Sequence, residues 1–374
     1  MRLARLAGIC LLVCQASRSP APETDNFYLP LDAEMADLGP YLEAVHTLAL
    51  EKAVNTINAR IEIALNIRDH QLRAKLLRRY HAPDTLAAAF MDQFSNSYVE
   101  SIMVEHALKS KVARTSFPGQ LTLQKNIWLN FSAHLPLEPR QFLMLSQCAT
   151  VKAYGVYFGT DKLVHFHSVG WSYYKAYRSH LQDGDKPEEA ERKVIHRYSR
   201  ADLLAETTFF GLIATGIYSN ADLAANLAGM KFFINLTEPV TLKNKRAAPL
   251  VIRCGEFWQL NQHVRPHSGW FASFVSDHWN EALNPNLYEF TMRPGVRRVL
   301  HNRARHIIDF YTLKDGRPND PAYFEILARE LSTYYGEPYG HSGNFQSLLN
   351  IGNACYPASP GTAGSFVASP ANNK

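Results

Sequence analysis

The sequence predicts a mainly α-helical protein, a multi-helix globular domain with few or no strands. Three observations predict it. Apolar residues recur three and four apart over long stretches, Pro and Gly clusters punctuate those stretches, and in the early part of the chain only residues 120–135 read as a strand. From Tyr41 to about Ile67 the apolar positions Leu42, Val45, Ala49, Ile57, Ile61 and Leu65 trace one helical stripe. Ala82-Pro83-Asp84 opens a second helix, about 84–112, with Asp84 in its first turn. Phe117-Pro118-Gly119 closes that block, and Pro136 and Pro139 introduce a helix near 139–153. Further helices are expected over the apolar run from Ala201 to Ile217, over Ala221 to Leu236 after a Tyr-Ser-Asn break, and over 295–312 and 321–335. Residues 238–252 are polar and basic and read as a loop.

This gives a domain plan: 1–16 a signal peptide, 17–40 a Pro-containing linker, 41–115 an N-terminal helical block, 116–337 the main helical domain, and 338–374 a loop-rich, disordered tail. The first segment has Arg2 and Arg5, an apolar run from Leu6 to Val13, and small residues up to Ala16. That run is too short to span a bilayer and fits a secretory signal, so a periplasmic or secreted location is expected. A lipoprotein is the minor alternative, because neither Cys10 nor Cys14 follows a small residue. The chain has 374 residues, 46% of them hydrophobic and 20% charged, and a net charge of +5. Such a mild basic excess does not suit a nucleic-acid-binding protein, and no later segment is apolar enough to cross a membrane. With Cys10 and Cys14 removed, Cys148, Cys254 and Cys355 remain, which permits one disulfide of open pairing.

The chemistry concentrates in four clusters. In GTDKLVHFHSVGWSYY, residues 159–174, Asp161 and His165 are four apart and Lys162 and His165 three apart. One helical face therefore carries an Asp–His pair with Lys162 at its edge, an arrangement that suits a general base or a metal ligand. A capped helix with a solvated lysine and a core histidine explains the same residues. His167 lies off that face. In YSNADLAANLAGMKFF, residues 218–233, Ser219, Asp222, Asn226 and Gly229 form one stripe. Ser219 or Asn220 is an N-cap, Asp222 suits the first turn, and Gly229 leaves room for another backbone. A mid-helix Asn226 facing that contact needs a polar counterpart. Asp202 and Glu206 share a face ahead of an apolar run, and desolvation there would prepare Glu206 as a general acid or leave it a first-turn acid. In FVSDHWNEALNP, residues 274–285, Asp277, Glu281 and Asn284 share a predicted helical face with His278 close by.

The D-K-x-x-H-F of Asp161 to Phe166, followed by the S-x-x-D-x-x-x-N-x-x-G of Ser219 to Gly229, resembles the signature of VanZ-like proteins. The first motif also resembles that of the small YfiM-like envelope lipoproteins. The resemblance covers residues 158–233 and implies an envelope setting more than a reaction. VanZ-like proteins span membranes several times, which this chain does not match. ETTFFGLIATG and NLAGMKFFINL are similar in outline to the lysozyme-like lytic transglycosylases, where Glu206 would be the catalytic acid; the Ser-rich segment after that Glu is missing.

The expectation is an exported envelope protein with a polar pocket between helices. Asp161, His165, Glu206, Asp222 and Asn226 are its candidate catalytic residues, and Lys162, His167, Ser219, Asp277 and Glu281 its candidate substrate contacts. A divalent metal is the cofactor left open, with Asp161, His165, Asp277, His278 and Glu281 as candidate ligands. A hydrolase of an envelope glycan or lipid-linked component, a non-catalytic structural or binding protein, and a peptidoglycan-cleaving enzyme using Glu206 are the three functional readings.

Overall fold

The computed structural model describes residues 26, 27, 29, 31, 32, 35–94, 150–201, 217–288, 290, 293–337, 339, 340 and 348–356. The predicted signal peptide, the strand-like segment 120–135, Cys148, Asp202 and Glu206 lie outside the described residues.

The fold is mainly α, and its strands form short two-stranded antiparallel sheets. Helix α1 runs from Gly39 to Leu65, with Pro40 in its first turn. It buries Leu42, Leu50, Val54, Ile57 and Ile61, much as the apolar stripe predicts. Helices α2 (His70–Tyr80) and α3 (Pro83–Met91) follow, the first capped by the Asp69 side chain. A hairpin, β1 (Thr150–Ala153) and β2 (Val156–Gly159), then leads into the helical segment that carries the first motif. That segment is α4 (Asp161–Val164), a wider π turn from His165 to Val169, and α5 (Gly170–Gln182). Helix α6 is Pro187–His196, with acids in its first turn and Lys193 and His196 in its last. Strand β3 (Ile217–Tyr218) precedes α7 (Asn220–Asn235). The hairpins β4–β5 (Val240–Leu242, Lys245–Ala247) and β6–β7 (Val251–Cys254, Phe257–Leu260) come next. Strand β8 (Leu287–Tyr288) returns to pair with β3. Helices α8 (Arg293–Asn302), α9 (Ala304–Asp309), α10 (Pro321–Glu330) and α11 (Ile351–Cys355) complete the order.

Among the described residues two apolar cores result. The first gathers α1, α3, α5 and α7 with Trp270, Phe271, Phe274 and Trp279. The second gathers α8 to α11 with Ala282 and Leu283. Phe27 and Leu29 belong to it too, and Asn26 is held between Tyr157 O, Thr150 Oγ1 and Tyr311 Oη. Part of the predicted linker is therefore pinned to the fold.

Several expectations need correction. Residues 150–153 form a strand rather than the end of a helix, and most of 238–252 forms hairpins rather than loop. Tight turns at Lys243-Asn244 and Gly255 reverse these strands through positive φ. The stretch 295–312 divides at Arg303. Beyond residue 338, Tyr339, Leu348, Leu349, Ile351, Ala354 and Cys355 are buried, so this part of the predicted tail is packed. Among the described residues Cys254 and Cys355 are free thiols. Among the described residues no helix is long and apolar enough to cross a membrane.

Candidate functional site

The close approach predicted at Gly229 is present. A Cβ there would lie 1.9 Å from the Phe166 carbonyl oxygen and 3.0 Å from Gly170 Cα. Gly170 in turn faces Gly229, so α5 and α7 cross backbone to backbone. That crossing sets two polar stripes against each other. His165 Nδ1 donates to Asn226 Oδ1 at 3.0 Å, which supplies the counterpart that the mid-helix amide requires. Asn226 Nδ2 reaches Tyr173 Oη at 3.5 Å. Ser219 caps α7 by accepting from Asp222 N–H, which fixes Asp222 in the first turn.

Lys162 sits at the middle. Its Nζ is 2.5 Å from Asp161 Oδ2, 2.5 Å from Asp222 Oδ1 and 2.5 Å from Glu281 Oε1. The Asp222 contact is an ion pair lying off the angle of a good hydrogen bond. His165 Nε2 approaches Asp222 Oδ2 at 3.5 Å, and Ser219 Oγ reaches Glu281 Oε1 at 3.3 Å. Glu281 arrives from a turn, not from the predicted helix. The Asn280 side chain accepts from Ala282 and Leu283 N–H and so tightens that turn. Ala282 and Leu283 belong to the second apolar core, while Leu163, Phe166 and Leu223 belong to the first. The centre thus occupies the seam between the cores.

Asp161, Lys162, His165, Asp222, Asn226 and Glu281 are all no more than 3% exposed. An uncompensated charge in such a place would be prohibitive, so the centre must balance. Burial pushes Glu281 well above the usual carboxylate range, against the pull of Lys162 and with the help of Asp161 and Asp222. Burial also works against ionising Asp222, but His165 and Lys162 outweigh it and hold that carboxyl below its ordinary value. Of the three carboxyls at the ammonium, Glu281 and Asp222 are therefore driven apart in proton affinity, Glu281 upward by burial and Asp222 downward by His165 and Lys162. Among the described residues Glu281 Oε2 has no hydrogen-bond partner.

One oxygen each from Asp161, Asp222 and Glu281 lies within 4.8 Å of the others, a spacing that a cation would fit. The Lys162 ammonium already contacts all three carboxylates and supplies the positive charge there. Of the predicted metal candidates, Asp161, His165 and Glu281 come together. Asp277 and His278 do not join them. Asp277 pairs with Arg317 at 3.0 Å, and His278 bonds Ser276 Oγ and Thr333 O. Both line a separate cleft of about 550 Å³ with Lys243, Glu330 and Tyr335. His167 faces the other way and meets His46. Asn284 bonds His278 O and Tyr339 Oη. Asn235, which opens an Asn-Leu-Thr sequence, is buried, its amide spent on Glu238 O and Ala248 O.

The sequence reading missed Tyr173 and His46. For His46 a signal existed: it lies within the apolar stripe of α1, one residue after Val45. No protein-family description, no curated protein and no solved structure matches the chain.

Proposed function

We propose that the chain is a non-catalytic protein of the bacterial envelope, and that the Lys162 centre fixes how its helices cross rather than processing a substrate. The observation that carries this reading is the burial of all six charged and amide side chains, each engaged with another of the set. Substrate has no route to a group that is sealed. The Gly170–Gly229 crossing gives the centre a mechanical task, because helices that touch backbone to backbone need polar pairs to fix their rotation. The envelope setting rests on the signal-like N-terminus and on the resemblance to VanZ-like and YfiM-like proteins.

One observation favours a second reading, a hydrolase of an envelope glycan or lipid-linked component. Carboxyls whose proton affinities are driven apart, as at Asp222 and Glu281, are the pattern of an acid and its charged companion. A single experiment separates the two. The full-length protein and its Glu281→Gln variant are incubated with peptidoglycan and with lipid-linked precursors while thermal unfolding is followed in parallel. The structural reading expects no turnover by either protein. Turnover by the wild type, lost in a Glu281→Gln protein that still unfolds in one cooperative step, overturns it in favour of the hydrolase.

A further inference from the structure

A second polar pair lies apart from the Lys162 centre. His46 and His167 are both fully buried, and their Nε2 atoms are 2.8 Å apart. Each ring is held through Nδ1 by a main-chain carbonyl one turn earlier in its own helical segment. His46 Nδ1 is 2.6 Å from Leu42 O, and His167 Nδ1 is 2.8 Å from Leu163 O. A carbonyl oxygen only accepts, so both Nδ1 atoms carry their protons. Two neutral imidazoles have then no proton left for Nε2. Three contacts share two protons, and the two Nε2 lone pairs face each other bare.

The rings are nearly coplanar, at 17°, with centroids 4.9 Å apart. That separation matches a nitrogen-to-nitrogen gap of 2.8 Å plus the reach of each ring, so the lone pairs point along one line. Around this axis the walls are aromatic. Phe271 lies 3.9 Å from the His46 ring and Phe94 lies 4.7 Å from the His167 ring, with Phe90, Phe166 and Phe232 behind. Among the described residues no carboxylate bonds to either ring. Desolvation by burial also disfavours a captured proton: it lowers His46 well below the ordinary imidazole value, and it lowers His167 to about 4.

We propose that His46 and His167 form a two-nitrogen binding site for a monovalent metal ion of the Cu+ class, which accepts two opposed ligands, seated on the Nε2–Nε2 axis. Imidazole nitrogens suit copper, and Nδ1–H bonds to carbonyls are the usual support of a metal-bound histidine. A single positive charge is less costly to desolvate than a double one, and aromatic faces attract it. Metal–nitrogen lengths of about 2 Å place two opposed ligands about 4 Å apart, so the rings must separate by roughly 1 Å. Phe94, only half-buried at the edge of the cage, is the wall that can yield.

The test uses Ag+ as a redox-inert probe for Cu+, added without oxygen to the full-length protein labelled with 15N in its histidine rings. Silver also binds thiols, so the readout is the ring nitrogens and not total uptake. The expected result is a shift of two Nε2 signals at one equivalent beyond the thiols, with both Nδ1–H signals retained. His46→Gln and His167→Gln should each abolish the shift. Because the decisive spectrum is that of the wild type, misfolding of either variant does not spoil the test. Unmoved Nε2 signals in the wild type, or a third ring N–H shared between the two rings that excess Ag+ fails to displace, overturns the proposal.

Discussion

Gly229→Ala is the sharpest perturbation of this fold. The added Cβ would sit 1.9 Å from Phe166 O, where carbon–oxygen contacts need about 3.3 Å. The segments must then part by roughly 1.4 Å. The His165–Asn226 hydrogen bond, now 3.0 Å, would stretch beyond the limit of a useful bond. Overpacking of this kind costs about 3 kcal/mol, and an orphaned buried amide about 2 kcal/mol more. Alanine returns about 1 kcal/mol through helix propensity, leaving a net loss of about 4 kcal/mol. Gly170→Ala meets Gly229 Cα at 2.7 Å and should cost about half as much. Urea unfolding of wild type and both variants, followed by tryptophan fluorescence, measures the order. The reasoning fails if Gly229→Ala lies within about 0.5 kcal/mol of wild type, or if Gly170→Ala is the more damaging change.

Two further outcomes follow from the charges. Since burial raises the proton affinity of Glu281 while His165 and Lys162 lower that of Asp222, Glu281→Gln should cost about 1 kcal/mol and Asp222→Asn about 3 kcal/mol at neutral pH; equal or reversed losses in chemical unfolding would refute that ordering. Burial lowers His278 to about 4 against an ordinary 6.5, so below pH 6.5 the unfolded chain takes up a proton that the folded chain refuses. Its contribution is intact above pH 6.5 and falls away by roughly 3 kcal/mol as pH drops towards 4. His278→Gln should flatten that part of a stability–pH curve, and an unchanged slope would count against the burial argument.

Much of the site was legible because helical periodicity is a local rule. Ser219, Asp222, Asn226 and Gly229 could be placed on one stripe from spacing alone, and the need of Asn226 for a partner could be stated before His165 was known to supply it. Lys162 was harder to read. Its spacing puts it at the edge of a face, and only the arrival of Glu281 from 119 residues away turns that edge into a centre. Glu281 itself was found for a reason the structure does not share, since it projects from an Asn280-capped turn instead of a helix. The hairpins between residues 240 and 260 escaped because their strands are three or four residues long and half-exposed, too short for alternation to show. The burial of Phe27 and Leu349 escaped because a Pro-rich or Gly-rich context carries no sign of a distant core.

The π turn from His165 to Val169 holds one residue more per turn than an α-helix needs. That surplus residue keeps His165 towards Asn226 and His167 towards His46, and still delivers Gly170 and Tyr173 to α7. Winding the same residues as a regular α-helix would swing everything downstream by about 100°, and removing one to regain regular winding would cost one of these contacts. The segment should therefore accept many replacements on its outer side, where Ser168 is exposed, while refusing any change of length. Length, more than identity, is what this stretch would have to inherit unchanged.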